Sequence, residues 1–147
     1  MSNIHESGED YLETILILEK RHGYARSVEI AAEMQVSKAS VSVAMKNLKN
    51  GGYILMNGNY EITLTPRGRE VAETIYERHV LFSEVLIKLG VHRDVALRDA
   101  CRMEHIISRE SFTALKQYFT ENPPGEESPP ESGDPGRAPD LKGEFTV

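Results

Sequence analysis

The chain has 147 residues, 39% of them hydrophobic, with a single cysteine and a formal charge of −6. That length suits one ordinary domain or two small ones, and one cysteine excludes an internal disulfide. With no apolar run near the roughly 20 residues of a membrane span, and no signal-peptide core in "MSNIHESGED", the sequence predicts a soluble cytoplasmic protein with no membrane partner.

In chain order, "SGEDYLETILILEKRHG" predicts a first helix of about four turns. Ser7 and Asp10 resemble a capping box, Leu12, Ile15, Leu16 and Ile17 lie on the apolar side, and Gly23 ends it. "SVEIAAEMQ" predicts a short helix capped by Ser27, with Val28, Ile30, Ala31 and Met34 inward. After a tight turn at Gln35 and Val36, a third helix opens at Ser37, packs Val41, Met45 and Leu48, and stops at Gly51 and Gly52. The period then drops from about 3.6 to 2 in "YILMNGNYEITLT", whose central Asn57-Gly58 signals a hairpin. Thr65 caps and Pro66 opens a long helix ending at Gly90; two more helices follow at about 92–105 and 108–120, the last capped by Ser108. Residues 121–147 carry six of the seven prolines and seven acids against two bases, which leaves 16 acids and 15 bases in the body. That segment reads as a disordered acidic tail.

Helix, short helix, turn, helix and hairpin make a winged helix-turn-helix, so the fold class is mainly α, with this domain followed by an all-helical one. The predicted divisions are 1–72, 73–121 and 122–147. Ser37, Lys38, Ser40, Ser42 and Lys46 form a polar side near the start of the third helix, where helices approach base edges and phosphates. The same residues would serve as caps and solvated positions in any small helical domain; the adjoining wing favours DNA. Arg26 and Ala39 complete the candidate DNA-facing set.

In "DACRMEHIIS", a helix places Cys101, Glu104 and His105 within one 100° sector, so a thiolate, a carboxylate and an imidazole converge as ligands for a divalent transition metal would. Alone, the triplet is weak evidence and better fits a small buried cysteine beside a wet Glu-His pair. Asp10 and Glu13 share a face of the first helix, and His79 stands in the otherwise apolar "HVLFSEVLIKLGV".

The segments "GEDYLETILILEKRHGYARSVEIAAEMQVSKASVSVAMKNLKNGGYI", "ITLTPRGREVA", "ERHVLFSEVLIKLGV" and "ACRMEHIIS" resemble, in order and over about residues 4–120, the diphtheria toxin repressor and manganese transport regulator family of metal-dependent repressors. The resemblance implies a homodimer in which a DNA-binding domain leads into a metal-binding and dimerisation domain. It places Asp10, Glu13, His79, Cys101, Glu104 and His105 at the family's metal-ligand positions. Asp10 and Glu13 resemble the manganese branch and Cys101 the iron branch, while Ser83 and Leu97 stand where the iron branch has ancillary ligands. Carboxylates outnumber the thiol, so the expected cofactor is Mn2+, with Fe2+ close behind. The expected function is a metal-activated repressor of metal-homeostasis genes, bound to a double-stranded operator. The ion would link the first helix to the dimerisation half and set the spacing of two recognition helices. No nucleophile, phosphate loop or catalytic base stands out, so an enzyme is not expected; the alternative is a winged-helix regulator sensing redox state through Cys101.

Overall fold

The computed structural model describes residues 5–123. It contains α1 (Glu6–His22), α2 (Ser27–Met34), α3 (Lys38–Asn50), β1 (Ile54–Met56), β2 (Ile62–Leu64), α4 (Pro66–Lys88), α5 (Arg93–Ile106) and α6 (Arg109–Glu121). The predicted tail falls, apart from its first residues, outside the described residues.

α1 buries Tyr11, Leu12, Ile15, Leu16 and Leu18, and its ends suit the helix dipole, with Glu6 and Glu9 in the first turn and Lys20, Arg21 and His22 in the last. Gly23 closes it in the left-handed region (φ 94°), donating its N–H to the Glu19 carbonyl at 2.7 Å. The expected capping box is not formed. The helix begins before Ser7, because the carbonyl of extended His5 already accepts from the Glu9 N–H at 3.1 Å. Asp10, released from a capping role, projects toward α5.

α2 and α3 form the helix-turn-helix about Gln35, which takes the left-handed conformation (φ 55°). Ser27 is the first residue of α2, not its cap, and Val28 is exposed where burial was expected; Ile30 and Ala31 face the core. Ser37 does cap α3, its Oγ accepting from the Ser40 N–H at 3.1 Å, and Val41, Met45 and Leu48 are buried.

The wing pairs Ile54 with Leu64, Leu55 with Thr63 and Met56 with Ile62 in antiparallel register. Its turn is longer than the Asn-Gly signal suggests. Asn57 Oδ1 accepts from the N–H groups of Asn59 and Glu61 at 2.9 and 3.0 Å, and Tyr60 takes the positive φ (58°). Ala25 adds a bridge to Ile62, exchanging both backbone hydrogen bonds at 2.8 and 2.9 Å, so the wing is sewn to the helix-turn-helix.

Thr65 caps α4 through its Oγ1 to the Gly68 N–H at 3.1 Å, with Pro66 in the first turn. Gly68 is required by packing: a Cβ there would lie 1.9 Å from the Tyr53 carbonyl oxygen. α4 runs unbroken through two cores. Its first half places Val71, Ala72 and Tyr76 against α1, α3 and the wing; its second half packs Leu81 and Phe82 with Ala100 of α5 and Phe112 of α6. Phe82 and Phe112 meet edge to face at 5.9 Å.

Candidate metal centre and nucleic-acid interface

Three helices bring polar side chains to one point. Glu104, on the α5 face that packs against α4, is fully buried. Its Oε2 accepts from His79 Nδ1 at 2.9 Å, and its Oε1 lies 3.4 Å from His105 Nε2. His105 Nε2 also reaches Asp10 Oδ1 at 2.7 Å, joining α5 to α1. Cys101, one turn before Glu104 and exposed, has its Sγ 3.8 Å from His79 Nδ1. The donor atoms of His79, Cys101 and Glu104 lie within 4.8 Å of one another, as do those of Asp10, Glu104 and His105. Glu104 belongs to both groups. Glu13 completes the set: it approaches Glu104 from α1, and one of its oxygens is buried without a hydrogen-bond partner. Five of the six expected ligands therefore meet in two groups that share Glu104, with Glu13 as their neighbour on α1, which their separations in sequence could not guarantee.

The electrostatics are those of a site short of positive charge. Burial, then the Glu104 charge, push the Glu13 carboxyl up to about 7. Burial also raises Glu9 and Asp10, although His105 opposes both. Hydrogen bonds to Cys101 and Glu104 raise His79 to about 10. For His105, burial pulls downward, but Asp10 and Glu104 outweigh it and the net shift is up. Of the five buried side-chain polar atoms without a partner among the described residues, three belong to Glu13, Glu104 and His105. Such atoms are costly unless something satisfies them, and a divalent cation would satisfy the two carboxylate oxygens among them. Donors around one ion at about 2.1 Å stand at most about 4.2 Å apart, so each group needs only a small contraction. The positions of a possible ancillary site do not offer the same chemistry: Ser83 is buried with its hydroxyl unpartnered, and half-buried Leu97 has no donor.

Two nearby residues escaped the reading of the sequence. Arg78, preceding His79, is buried and donates to the carbonyls of Glu104 at 3.1 Å and Ile107 at 2.9 Å, anchoring the end of α5 to α4. Glu9 places its Oε2 3.7 Å from His105 Nδ1. Neither stands out in sequence, where Arg78 sits among charged neighbours and Glu9 looks like a solvated first-turn acid.

In the helix-turn-helix, the cap Ser37 and Lys38, Ala39, Ser40, Ser42 and Lys46 of α3 are all exposed. Val43 (62% exposed) shares their stripe. Arg26 behaves differently from the rest. Its guanidinium donates to the Asn59 carbonyl at 2.9 Å and to Glu61 at 3.4 Å and sits over the Tyr24 ring, so in the free protein it braces the wing.

Two family descriptions match the chain: iron dependent repressor, N-terminal DNA binding domain, over residues 3–59, and iron dependent repressor, metal binding and dimerisation domain, over residues 65–130. The transcriptional regulator MntR of Salmonella typhimurium is 37% identical over 110 residues, 75% of this chain and 70% of that protein. The HTH-type transcriptional regulator MntR of Geobacillus kaustophilus is 34% identical over 119 residues, 79% of this chain and 84% of that protein. Among solved structures, the manganese regulator SloR superposes with a TM-score of 0.69 at 28% identity over 77% of this chain, and the apo form of the manganese-activated repressor ScaR with 0.62 at 29% over 75%. The chain spans about half the length of each of these two, 53%.

Proposed function

Because the chain belongs to the iron-dependent repressor family of metal-responsive transcriptional regulators, we propose that Mn2+, with Fe2+ as the alternative, is held by Asp10, Glu13, His79, Cys101, Glu104 and His105 and licenses binding to an operator. The meeting of Asp10, His79, Cys101, Glu104 and His105 from α1, α4 and α5, with Glu13 beside Glu104, carries the reading. Manganese is favoured by the carboxylates, which outnumber the thiol, and by the manganese regulators among the relatives; Cys101 keeps iron in play.

A bound divalent ion would supply the positive charge that lets these carboxylates stay ionised beside one another. Asp10 and Glu13 then hold α1 to Glu104, His105, His79 and Cys101, so the helix-turn-helix carried by α1 keeps a fixed relation to α4 and α5. In a homodimer that relation sets the separation of the two recognition helices, and half-sites one turn apart, about 34 Å, demand it. Ser37, Lys38, Ala39, Ser40, Ser42 and Lys46 approach the major groove, where Val43 suits a thymine methyl. Arg26 reaches phosphate only by leaving the wing. We place the division between the two units near residue 72, within α4, where its packing passes from the first core to the second. The regulator works in the cytoplasm, where its DNA is; no helix of the described residues is long and apolar enough to cross a membrane.

The test is a titration. DNA fragments selected from a random pool by the Mn2+-loaded protein are bound again in chelator, Mn2+, Fe2+ and Zn2+ under anaerobic conditions. Binding at least about tenfold tighter with metal, a coupling of about 1.4 kcal/mol, is expected, and His105→Ala abolishes it. Equal affinity in chelator and Mn2+ would refute the reading.

A further inference from the structure

We infer that Glu9 is a positioning residue of the metal centre: its carboxylate accepts the Nδ1 proton of His105 and thereby holds that imidazole with Nε2 facing the ion. The inference rests on the metal-binding reading above. His105 turns Nε2 toward Asp10 Oδ1 at 2.7 Å and Glu104 Oε1 at 3.4 Å, so Nε2 is the nitrogen available to a cation. A neutral imidazole ligating through Nε2 carries its proton on Nδ1. Nδ1 is buried, has no hydrogen-bond partner, and belongs to a side chain only 2% exposed, so water does not serve it. The Glu9 carboxylate is the acidic group beside it, with Oε2 at 3.7 Å, under 1 Å beyond a good hydrogen bond. Glu9 lies on α1 next to Asp10, so drawing Asp10 toward an ion carries Glu9 along. It also faces Arg78 across the cleft between α1 and α4. Metal-bound histidines commonly donate their other nitrogen to such a carboxylate, and its removal typically costs 10- to 100-fold in metal affinity.

The experiment uses the full chain with Zn2+ as a diamagnetic probe and Mn2+ for affinity. In 15N-histidine spectra of the Zn2+-loaded protein, His105 should show a metal-bound Nε2 and a slowly exchanging proton on Nδ1. Glu9→Ala should speed that exchange and weaken Mn2+ binding about 10- to 100-fold, while Glu9→Gln, whose amide oxygen still accepts, should recover much of the loss. Should Glu9→Ala fail to fold, the wild-type spectrum and Glu9→Gln decide. Unchanged Mn2+ affinity and Nδ1 exchange in the Glu9 variants, alongside lost binding in His105→Ala, overturns this inference and leaves the metal site standing. Metal bound through Nδ1 also overturns it. A wild-type chain that binds neither ion overturns both.

Discussion

Glu13 and His79 set the pH behaviour of the centre. In the folded chain Glu13 keeps its proton up to about pH 7 against an ordinary 4.5, and His79 keeps its own up to about 10 against 6.5. Both pKa values are raised, so both groups favour the folded state at low pH and give up that contribution as pH rises through those windows. In chelator, the wild-type melting temperature should therefore fall more steeply between about pH 4.5 and 7 than that of Glu13→Gln, which cannot titrate. Identical slopes in thermal melts would show that Glu13 is not held protonated. Added Mn2+ should act in the opposite sense, raising the melting temperature more at pH 8 than at pH 6, because its ligands must shed protons to bind. As a proposed ligand, Cys101 would govern selectivity. Its Sγ lies beside His79, so Co2+ should produce a sulfur-to-metal charge-transfer band in the near ultraviolet, and Cys101→Glu should weaken the response to Fe2+ more than that to Mn2+. An absent band together with an unchanged Fe2+ to Mn2+ ratio would remove the thiol from the centre.

Among the elements, α1 is the one that would connect the proposed ion to DNA. Its first turns present Asp10 and Glu13 to the centre, and its last turns hold the wing: Glu19 pairs with Arg69 of α4 and accepts from the Leu64 N–H of β2 at 3.3 Å. The Glu19 side chain is mostly buried, so Glu19→Ala orphans a backbone donor and a guanidinium together. A stability loss of about 1–3 kcal/mol is expected from chemical denaturation. Arg69→Ala should cost less, since Arg69 is 40% exposed and screened. Mn2+ affinity should survive in Glu19→Ala while DNA binding by the loaded protein weakens, because the wing loses its tie to α1 at the end remote from the metal. Equal losses of metal and DNA affinity would mean that α1 fails as a whole.

Across the whole molecule, apolar exposure is concentrated in the second half. Of ten exposed large hydrophobic side chains among the described residues, Ile87, Val95, Ile106, Leu115 and Tyr118 lie on α4, α5 and α6, and Leu89 just past the end of α4. α6 buries only Phe112 in its own chain and adds the Lys116 to Glu77 ion pair, which leaves Leu115 and Tyr118 uncovered. A homodimer that covers this helix predicts that Leu115→Glu with Tyr118→Glu shifts sedimentation from dimer toward monomer. Metal should still bind, since the six donors come from one chain, but preference for palindromic over half-site DNA should fall. A double variant that stays dimeric would move the interface elsewhere.

Helix periodicity, the wing, the Ser37, Thr65 and Ser108 caps and the stop at Gly23 were legible because each depends on neighbours within a few residues. The pairing of Glu104 with His105 was legible for the same reason, being local to one helix. Resemblance extended this to the full set of six candidate ligands. Local signals misplaced Ser7 and Ser27, where competing backbone contacts start the helices earlier, and undersized the wing loop, where Asn57 closes on Glu61 instead of a two-residue turn. Only the tertiary structure decided which donors meet, because Asp10 and His105 are 95 residues apart and come within 2.7 Å only once α1, α4 and α5 pack together. The same packing turned Arg78 and Glu19 from apparently solvated charges into braces, and tied Arg26, expected to face DNA, to the wing. Burial sets what a charge costs and which partner can relieve it, and burial is a property of the assembled chain, absent from any local stretch of sequence.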